Sequence, residues 1–183
     1  PLTEGLPRVI EANLAVSPSN PQIIYAMVAG VPAAAAGTGA GRDGGTTGVV
    51  GFYKSTDGGA HWTGVNVPAG PLGAATAHVD TRPLARIGGG DLPTITVDPK
   101  NQDVVYSATV VMWRSEDGGA HWSAVRGAPG GDDYQKIWIN PDNPDIIFSV
   151  ADQGAVISAN RGESWSNWYN QSTAAMYHVT ADN

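Results

Sequence analysis

The sequence predicts an all-β fold made of three copies of one antiparallel unit. Three observations lead to this prediction. An eight-residue motif occurs three times, a second motif precedes each copy of the first, and 24 glycines and 13 prolines separate short apolar runs in a chain of 183 residues. Short apolar runs between frequent turn residues are typical of strands joined by tight turns. The chain is long enough to form one domain with a sizeable core.

The first motif reads STDGGAHW at 55–62 and SEDGGAHW at 115–122, with a weaker copy, SANRGESW, at 158–165. We name these three segments the box turns. Their glycines supply the positive φ of a tight hairpin, and their Asp or Asn accepts hydrogen bonds from N–H groups of the same turn. Their tryptophan anchors the returning strand. We therefore predict a structural role for Ser55, Asp57, Gly59, Trp62, Ser115, Asp117, Gly119, Trp122, Ser158, Asn160, Gly162 and Trp165.

The second motif is an apolar strand, a Pro/Asn turn and another strand. It reads AVSPSNPQIIY at 15–25, TVDPKNQDVVY at 96–106 and WINPDNPDIIF at 138–148. The equivalent residues Pro99 and Pro141 are 42 positions apart, and a period of this length is typical of a four-stranded β-propeller blade. We predict blades at 12–66, 94–126 and 134–168, and the first strand of another blade at 176–183.

Three blades and one strand cannot close a ring, because propellers typically use 4 to 8 blades. An open piece of a ring leaves strand edges and blade faces without partners. We therefore expect a fragment of a larger propeller, seven-bladed or tandem. Its partner is then the rest of its own propeller or another chain that completes it.

The first blade contains two insertions, at about 30–50 and 66–93. In an up-and-down blade these two loops open on one face, and the Pro/Asn turn and the box turn lie on the opposite face. Propellers usually bind their ligands on the face that carries such loops. The insertions are therefore candidates for ligand contact, and a flexible Gly/Ala linker is the alternative interpretation of the first one.

Candidate catalytic residues lie at the entries to two inner strands. Asp91 in GGGDLPTITVDP and Asp133 in GGDDYQKIWINP occupy equivalent positions on the insertion-bearing face, where Asp132 and Asp152 also lie. A pair of carboxylates serves glycoside hydrolysis as general acid and base. Asp91 and Asp133 are therefore the candidate pair, and capping of loop N–H groups is the alternative role.

Aromatic residues around the third blade are candidates for gripping sugar rings. Trp138 is interpreted instead as core packing between blades. The candidate binding residues are Asp132, Asp152, Tyr134, Trp168 and Tyr169.

Composition excludes several classes of function. The net charge of −7 argues against a nucleic-acid surface, which requires clustered Lys and Arg. No apolar run is long enough to predict a membrane span. Cysteine is absent and the four histidines lack metal-ligand spacing, so we predict no metal and no cofactor. Phosphate-cradling and nucleophile-elbow motifs are also absent.

The box turns fit the pattern SxDxGxxW and resemble the Asp-box, or BNR, repeats of sialidases, xyloglucan-degrading glycoside hydrolases, sortilin-type receptors and a photosystem assembly factor. From about Ala12 onward the chain resembles large bacterial BNR-repeat proteins that are sortilin-like or xyloglucanase-like and carry a glycosyl hydrolase label. DDYQKIWINP, the DQG loop, WYNQ and YHVTADN carry this resemblance. It implies an extracellular or periplasmic protein, carbohydrate binding and box turns away from the ligand face. A catalytic Asp pair is part of the xyloglucanase pattern.

Two hypotheses of function follow. The first is an extracytoplasmic propeller segment that serves as a binding or scaffold module for a protein or glycan partner. The second is a fragment of a glycoside hydrolase that cleaves a polysaccharide with a carboxylate pair including Asp91 or Asp133. A third and weaker hypothesis is an assembly-factor role.

Overall fold

The computed structural model describes residues 2–31, 49–68, 79–85 and 91–168, and these residues form antiparallel sheets. The first sheet contains β1 (Arg8–Val16), β2 (Ile24–Val31), β3 (Val49–Ser55) and β4 (Thr63–Asn66). The second contains β5 (Thr94–Val97), β6 (Val105–Ala108), β7 (Met112–Ser115) and β8 (Ser123–Arg126). The third contains β9 (Lys136–Ile139), β10 (Ile147–Ala151) and β11 (Gly154–Ser158).

Each sheet is a meander in which consecutive strands are hydrogen-bonded neighbours. The described residues contain no α-helix, only a short 3-10 helix at Arg82–Leu84 that precedes β5. The predicted all-β architecture of repeated four-stranded antiparallel units is therefore confirmed.

The structure differs from the sequence expectation at both ends of the repeat array. β1 begins at Arg8, earlier than the predicted start of the first unit. In the third unit the described residues form three strands. Past the box turn, Ser166 N–H donates to the Ile157 carbonyl (2.8 Å) without extending into a strand. The strand predicted at 176–183 lies outside the described residues.

The core lies between successive sheets. Between the first and second sheets the Phe52 ring stacks on Tyr25, with centroids 5.5 Å apart, and meets Trp122 edge-on at 5.4 Å. Between the second and third sheets, Tyr106 packs in one cluster with Ile147. Trp122 therefore anchors the second box turn in the contact with the preceding sheet.

The box turns and the Pro/Asn turns share one end of the sheets, which we name the turn face. The backbone N–H of Gly58 donates to the Gln22 carbonyl (3.0 Å), and that of Gly118 donates to the Asp103 carbonyl (2.8 Å). Arg161 N–H repeats this bond in the third sheet. Because strands alternate in direction, the entries to β5 and β9 lie at the opposite end, which we name the mouth face.

The first strands of the three sheets lie side by side. β1 contacts β5, and β5 contacts β9. The Asn13 side-chain amide donates to the carbonyls of Leu92 (3.2 Å) and Pro93 (3.0 Å), and the Thr96 hydroxyl donates to the Ile137 carbonyl (3.1 Å). These inner strands therefore bring residues from all three sheets to one place on the mouth face.

An N-terminal segment at 2–7 caps the side of the first sheet that faces away from the second. Trp62 donates its indole N–H to the Leu2 carbonyl (3.1 Å) and its backbone N–H to the Glu4 carbonyl (2.8 Å). Leu6 packs against the cluster that contains Trp62 and Val28. Trp62 is therefore held by a distant segment, and this contact was not expected from the sequence.

Candidate functional site

The mouth face contains a cleft of about 380 Å³ where the inner strands meet. This volume falls within the range of small-ligand and peptide sites. The cleft is lined by Glu11, Asn13, Leu14, Asp91, Leu92, Thr94, Ile95, Gln135 and Lys136.

Carboxylates surround the entry to β9. Asp132 N–H donates to the Gln153 side-chain carbonyl (3.2 Å), and the Gln153 amide donates back to the Asp132 carboxylate. This pair ties the β9 entry to the β10–β11 turn, which also carries Asp152. Asp133 has φ 50, a left-handed conformation, and the Gln135 amide donates to its carboxylate (3.1 Å).

The pKa of Asp133 is raised above its ordinary value of 3.8, because burial disfavours the charged form and the charges of Asp152, Asp132 and Asp91 add repulsion. Asp91, Asp132 and Asp152, all predicted from the sequence, therefore lie close enough to Asp133 for their charges to raise its pKa. A raised pKa lets a carboxyl group retain its proton to a higher pH than a free aspartate does, which is the direction of shift that a general acid requires. Their catalytic role stays a prediction.

The aromatic candidates are placed differently from one another. Tyr134 is fully buried, and its hydroxyl donates to the Gly130 carbonyl (3.0 Å), so it supports the loop from below. Trp168 lies beneath the Arg126 guanidinium, 4.9 Å from the ring centroid. Tyr169 lies outside the described residues.

The interpretation of Trp138 as core packing between blades stays a prediction. Trp138 is 50% exposed, and its cross-strand partner Phe148 is 40% exposed. The described residues do not include a sheet that covers these two side chains.

Sequence reasoning missed the cleft residues on the inner strands themselves. Glu11 lies before the predicted start of the first unit, and the sequence predicts no functional role for Asn13, Gln135 or Lys136. The spacing of Glu11 and Asn13, two positions apart in RVIEANLAV, is a sequence signal that could have indicated a polar face of β1.

The box turns have the predicted hydrogen bonds. In the first, the Ser55 hydroxyl accepts from Gly59 N–H (2.9 Å) and donates to the Asp57 carboxylate (2.8 Å), which accepts from His61 N–H (2.9 Å). The second box turn repeats these three bonds. In the third, Asn160 replaces the carboxylate and accepts from Ser164 N–H (2.9 Å). The polar side chains of the box turns are thus used within the turns.

A histidine adds an ion pair to the first box turn. His61 Nδ1 lies 2.6 Å from the Asp57 carboxylate, and Nε2 lies 3.5 Å from Glu4. The bond to Asp57 and the charge of Glu4 raise the pKa of His61, and the bonds from His61 and Ser55 lower the pKa of Asp57. Within 2–31, 49–68, 79–85 and 91–168, no three metal-ligating side chains form a cluster.

No protein-family model and no curated protein matches the chain. Several solved structures are similar to it. A GH74 xyloglucanase from Xanthomonas campestris is 18% identical, with a TM-score of 0.56, over 93% of this chain and 26% of that protein. A GH74 enzyme from Niastella koreensis is 18% identical, with a TM-score of 0.54, over 84% of this chain and 22% of that protein. YCF48 from Cyanidioschyzon merolae is 15% identical, with a TM-score of 0.49, over 88% of this chain and 37% of that protein.

The chain therefore spans about a quarter of the length of the two GH74 proteins. Those proteins are β-propellers, and the likeness confirms the fold class as a β-propeller fragment. At this identity the likeness concerns the fold alone. In the described part of the chain no helix has the length and apolar character needed to cross a membrane.

Proposed function

We propose that this chain is a propeller segment that binds a partner at the cleft on the mouth face and acts as a binding or scaffold module. The observation that carries the proposal is the convergence of β1, β5 and β9 on one cleft of about 380 Å³. Its rim combines anionic, cationic and amide side chains: Glu11, Asn13, Asp91, Gln135 and Lys136.

The composition of this rim favours a polypeptide partner over a glycan. Side-chain amides and charges of both signs suit the backbone and side chains of a peptide. Sugar rings are usually gripped by aromatic faces, and among the described residues the cleft lining contains no aromatic side chain. Asp132, Asp152 and Trp168 lie nearby and would extend the contact.

The test compares two charge reversals at exposed lysines. Lys136→Glu changes the cleft, and Lys100→Glu changes the turn face. Both variants and the wild type are screened on a peptide array and a glycan array. We expect peptide binding that Lys136→Glu removes and Lys100→Glu retains. Retention by both variants would contradict a site at the mouth, and binding confined to the glycan array would assign the cleft to a sugar.

The second candidate function is glycoside hydrolysis. It is favoured by the raised pKa of Asp133 among Asp91, Asp132 and Asp152. Protonated Asp133 would give its proton to the leaving-group oxygen of a glycosidic bond. A neighbouring carboxylate, with Asp91 the first candidate, would accept a proton from the attacking water.

An assay on a panel of β-glucans that includes xyloglucan tests this function. Asp133→Asn removes the proposed acid, and Asp142→Asn removes an exposed carboxylate on the turn face. We expect activity to fall by about 10²-fold or more for Asp133→Asn only. Equal activity in wild type and Asp133→Asn would remove this residue from the mechanism.

The resemblance of the box turns to Asp-box repeats supports three further parts of the proposal. The first is that the chain belongs to an extracellular or periplasmic protein. The second is its division into blades at 12–66, 94–126 and 134–168. The third is that the rest of a propeller completes it. Cell fractionation with an antibody to this chain checks the compartment, and recovery in the cytoplasmic fraction alone would contradict it.

A further inference from the structure

Two side chains of opposite charge line the cleft on the mouth face without a hydrogen bond or an ion pair in the described part of the chain. Asp91 lies at the entry to β5, and Lys136 is the first residue of β9. Both residues are exposed to solvent. Glu11, the third charged residue of the lining, already takes part in an interaction within the chain. Asp91 and Lys136 are therefore the two charges with which a ligand in the cleft would pair.

Hydrogen bonds fix the backbone next to each of these charges. The Asn13 side-chain amide of β1 donates to the two carbonyls that directly follow Asp91 in the chain (3.2 and 3.0 Å). The Gln135 N–H, next to Lys136, donates to the Val150 carbonyl of β10 (3.0 Å). Because both backbone segments are tied to neighbouring strands, the two charges stand at set positions on either side of the contact between β5 and β9.

The two side-chain amides of the cleft offer acceptors to a ligand. The Asn13 amide nitrogen is used in bonds to the backbone of the β5 entry, and the Gln135 amide nitrogen donates to the carbonyl (3.3 Å) and the carboxylate (3.1 Å) of Asp133. Among the residues that the structure describes, none donates a hydrogen bond to the amide oxygen of Asn13 or Gln135. These oxygens suit the N–H groups of a polypeptide backbone or of a basic side chain.

The charges around the cleft disfavour a ligand with charge of one sign only. The charges of Asp91, Asp132 and Asp152 raise the pKa of Asp133, which shows that the carboxylates of the mouth face act on one another. They would repel an anionic ligand, and a purely cationic ligand would be repelled by Lys136. A ligand that carries one charge of each sign avoids both costs, provided that its charges match the positions of Asp91 and Lys136.

We propose that the cleft selects a polypeptide segment with one basic and one acidic side chain, the basic one paired with Asp91 and the acidic one with Lys136. Arginine suits the first position, because its planar guanidinium donates to a carboxylate and to an amide oxygen at the same time. Asp91 and Lys136 are then the residues that determine specificity. This inference deepens the proposed function and rests on it.

Fluorescence anisotropy with labelled synthetic peptides tests the pairing on the 183-residue chain. The probes share a Gly/Ser frame and carry one arginine and one glutamate, in either order and at several spacings. In the matched neutral probes, citrulline replaces the arginine or glutamine replaces the glutamate. We expect the wild type to bind the best charged probe about tenfold or more tightly than either neutral counterpart, because each loses one of the two charge pairs.

Charge reversal in the chain tests the same pairing from the other side. Asp91→Lys and Lys136→Glu should each weaken binding of the charged probe by about tenfold or more, and Lys100→Glu on the turn face should leave it unchanged. The chain with both cleft reversals should bind again and prefer the probe with the opposite order of charges. Circular dichroism checks that each variant is folded. Asp91→Asn and Lys136→Gln replace the reversals if these do not fold.

Equal affinity of the wild type for charged and neutral probes, or no measurable affinity for any probe, would overturn the charge pairing. The peptide array would still decide whether the mouth binds another kind of peptide, so this failure is distinct from failure of the proposed function. Unchanged binding of the charged probe by both single reversals would place the probe outside the cleft and overturn both. A doubly reversed chain that keeps the order preference of the wild type would also contradict the pairing.

Discussion

At the scale of single residues, the serine that opens each box turn is buried, and its hydroxyl both donates and accepts a hydrogen bond within the turn. Ser55, Ser115 and Ser158 are each 1% exposed, and each hydroxyl accepts a hydrogen bond from the glycine four positions later. The same hydroxyl donates to the Asp or Asn two positions later. A single oxygen thus closes the turn in all three repeats.

Replacing Ser115 by alanine leaves the buried N–H of Gly119 without its acceptor. A buried donor without a partner costs about 1–3 kcal/mol, so we expect Ser115→Ala to lower the free energy of unfolding by that amount in urea denaturation. Ser123→Ala, at an exposed position of β8, is the control and should change stability by less than about 0.5 kcal/mol. Equal losses in the two variants would contradict the role of the hydroxyl.

The fold opposes the negative charge of Asp133 at the mouth face. Its pKa is raised, so the folded state binds the proton more tightly than the unfolded chain does. The favourable contribution of the protonated form is complete below the ordinary value of 3.8 and is lost as the pH rises through the raised pKa. At neutral pH the ionised carboxylate is therefore a destabilising group.

Asp133→Asn removes this charge and keeps a side chain that tolerates the left-handed φ of 50. We expect a higher midpoint of thermal unfolding at pH 7 and no difference from wild type at pH 3. Asp142→Asn, on the exposed Pro/Asn turn, should change neither value. A lower midpoint for Asp133→Asn at pH 7 would show that its carboxylate is stabilised by its surroundings.

At the scale of elements, equivalent turns differ in what lies beneath them. Gly59 and Gly119 occupy the same position in two box turns and have similar φ, 92 and 96. A Cβ on Gly59 would lie 3.6 Å from the nearest atom of Trp62, an ordinary contact. A Cβ on Gly119 would overlap the ring of Phe52, because the second sheet packs there against the first.

Alanine at the two positions separates backbone strain from sheet packing. We expect Gly59→Ala to lower the free energy of unfolding by about 1–2 kcal/mol, the cost of a left-handed conformation. Gly119→Ala should lower it by about 1–3 kcal/mol more, because the buried Phe52 must move. Urea denaturation of both variants checks the difference. Equal losses in the two variants would mean that Phe52 moves aside without lowering the free energy of unfolding.

At the scale of the whole molecule, the two sides of the described array of sheets differ. The N-terminal segment covers the outer side of the first sheet through Trp62, whereas Trp138, Phe148 and Ile157 of the third sheet are exposed. Each repeat depends on a neighbour for burial, so an end requires a cap or a partner.

Deleting residues 1–6 removes the cap and the two carbonyls that accept hydrogen bonds from Trp62. We expect the free energy of unfolding to fall by about 2–4 kcal/mol, from two lost hydrogen bonds and the lost packing of Leu6. The total tryptophan emission, to which Trp62 contributes with five other tryptophans, should shift toward longer wavelength. Leu2→Ala retains the carbonyl and alters a side chain that is 66% exposed, so it should behave as wild type.

The sequence by itself determined the features that depend on a few adjacent residues. The Ser, Asp, Gly and Trp of a box turn specify one local geometry, and the turn motifs specify the strand order and the all-β class. The sequence also predicted that Asp91 and Asp133 lie at the entries to β5 and β9, because equivalent residues of a repeat occupy equivalent positions in the fold. All of these are short-range or periodic properties.

The tertiary structure alone decided which residues meet and which are buried. Glu11, Asp91 and Lys136 line one cleft because three sheets place their inner strands side by side. Trp62 binds Leu2, 60 positions away, and Trp138 is exposed where Thr96 at the equivalent position is covered. Burial depends on the neighbouring sheet, so no motif within one repeat is able to specify it.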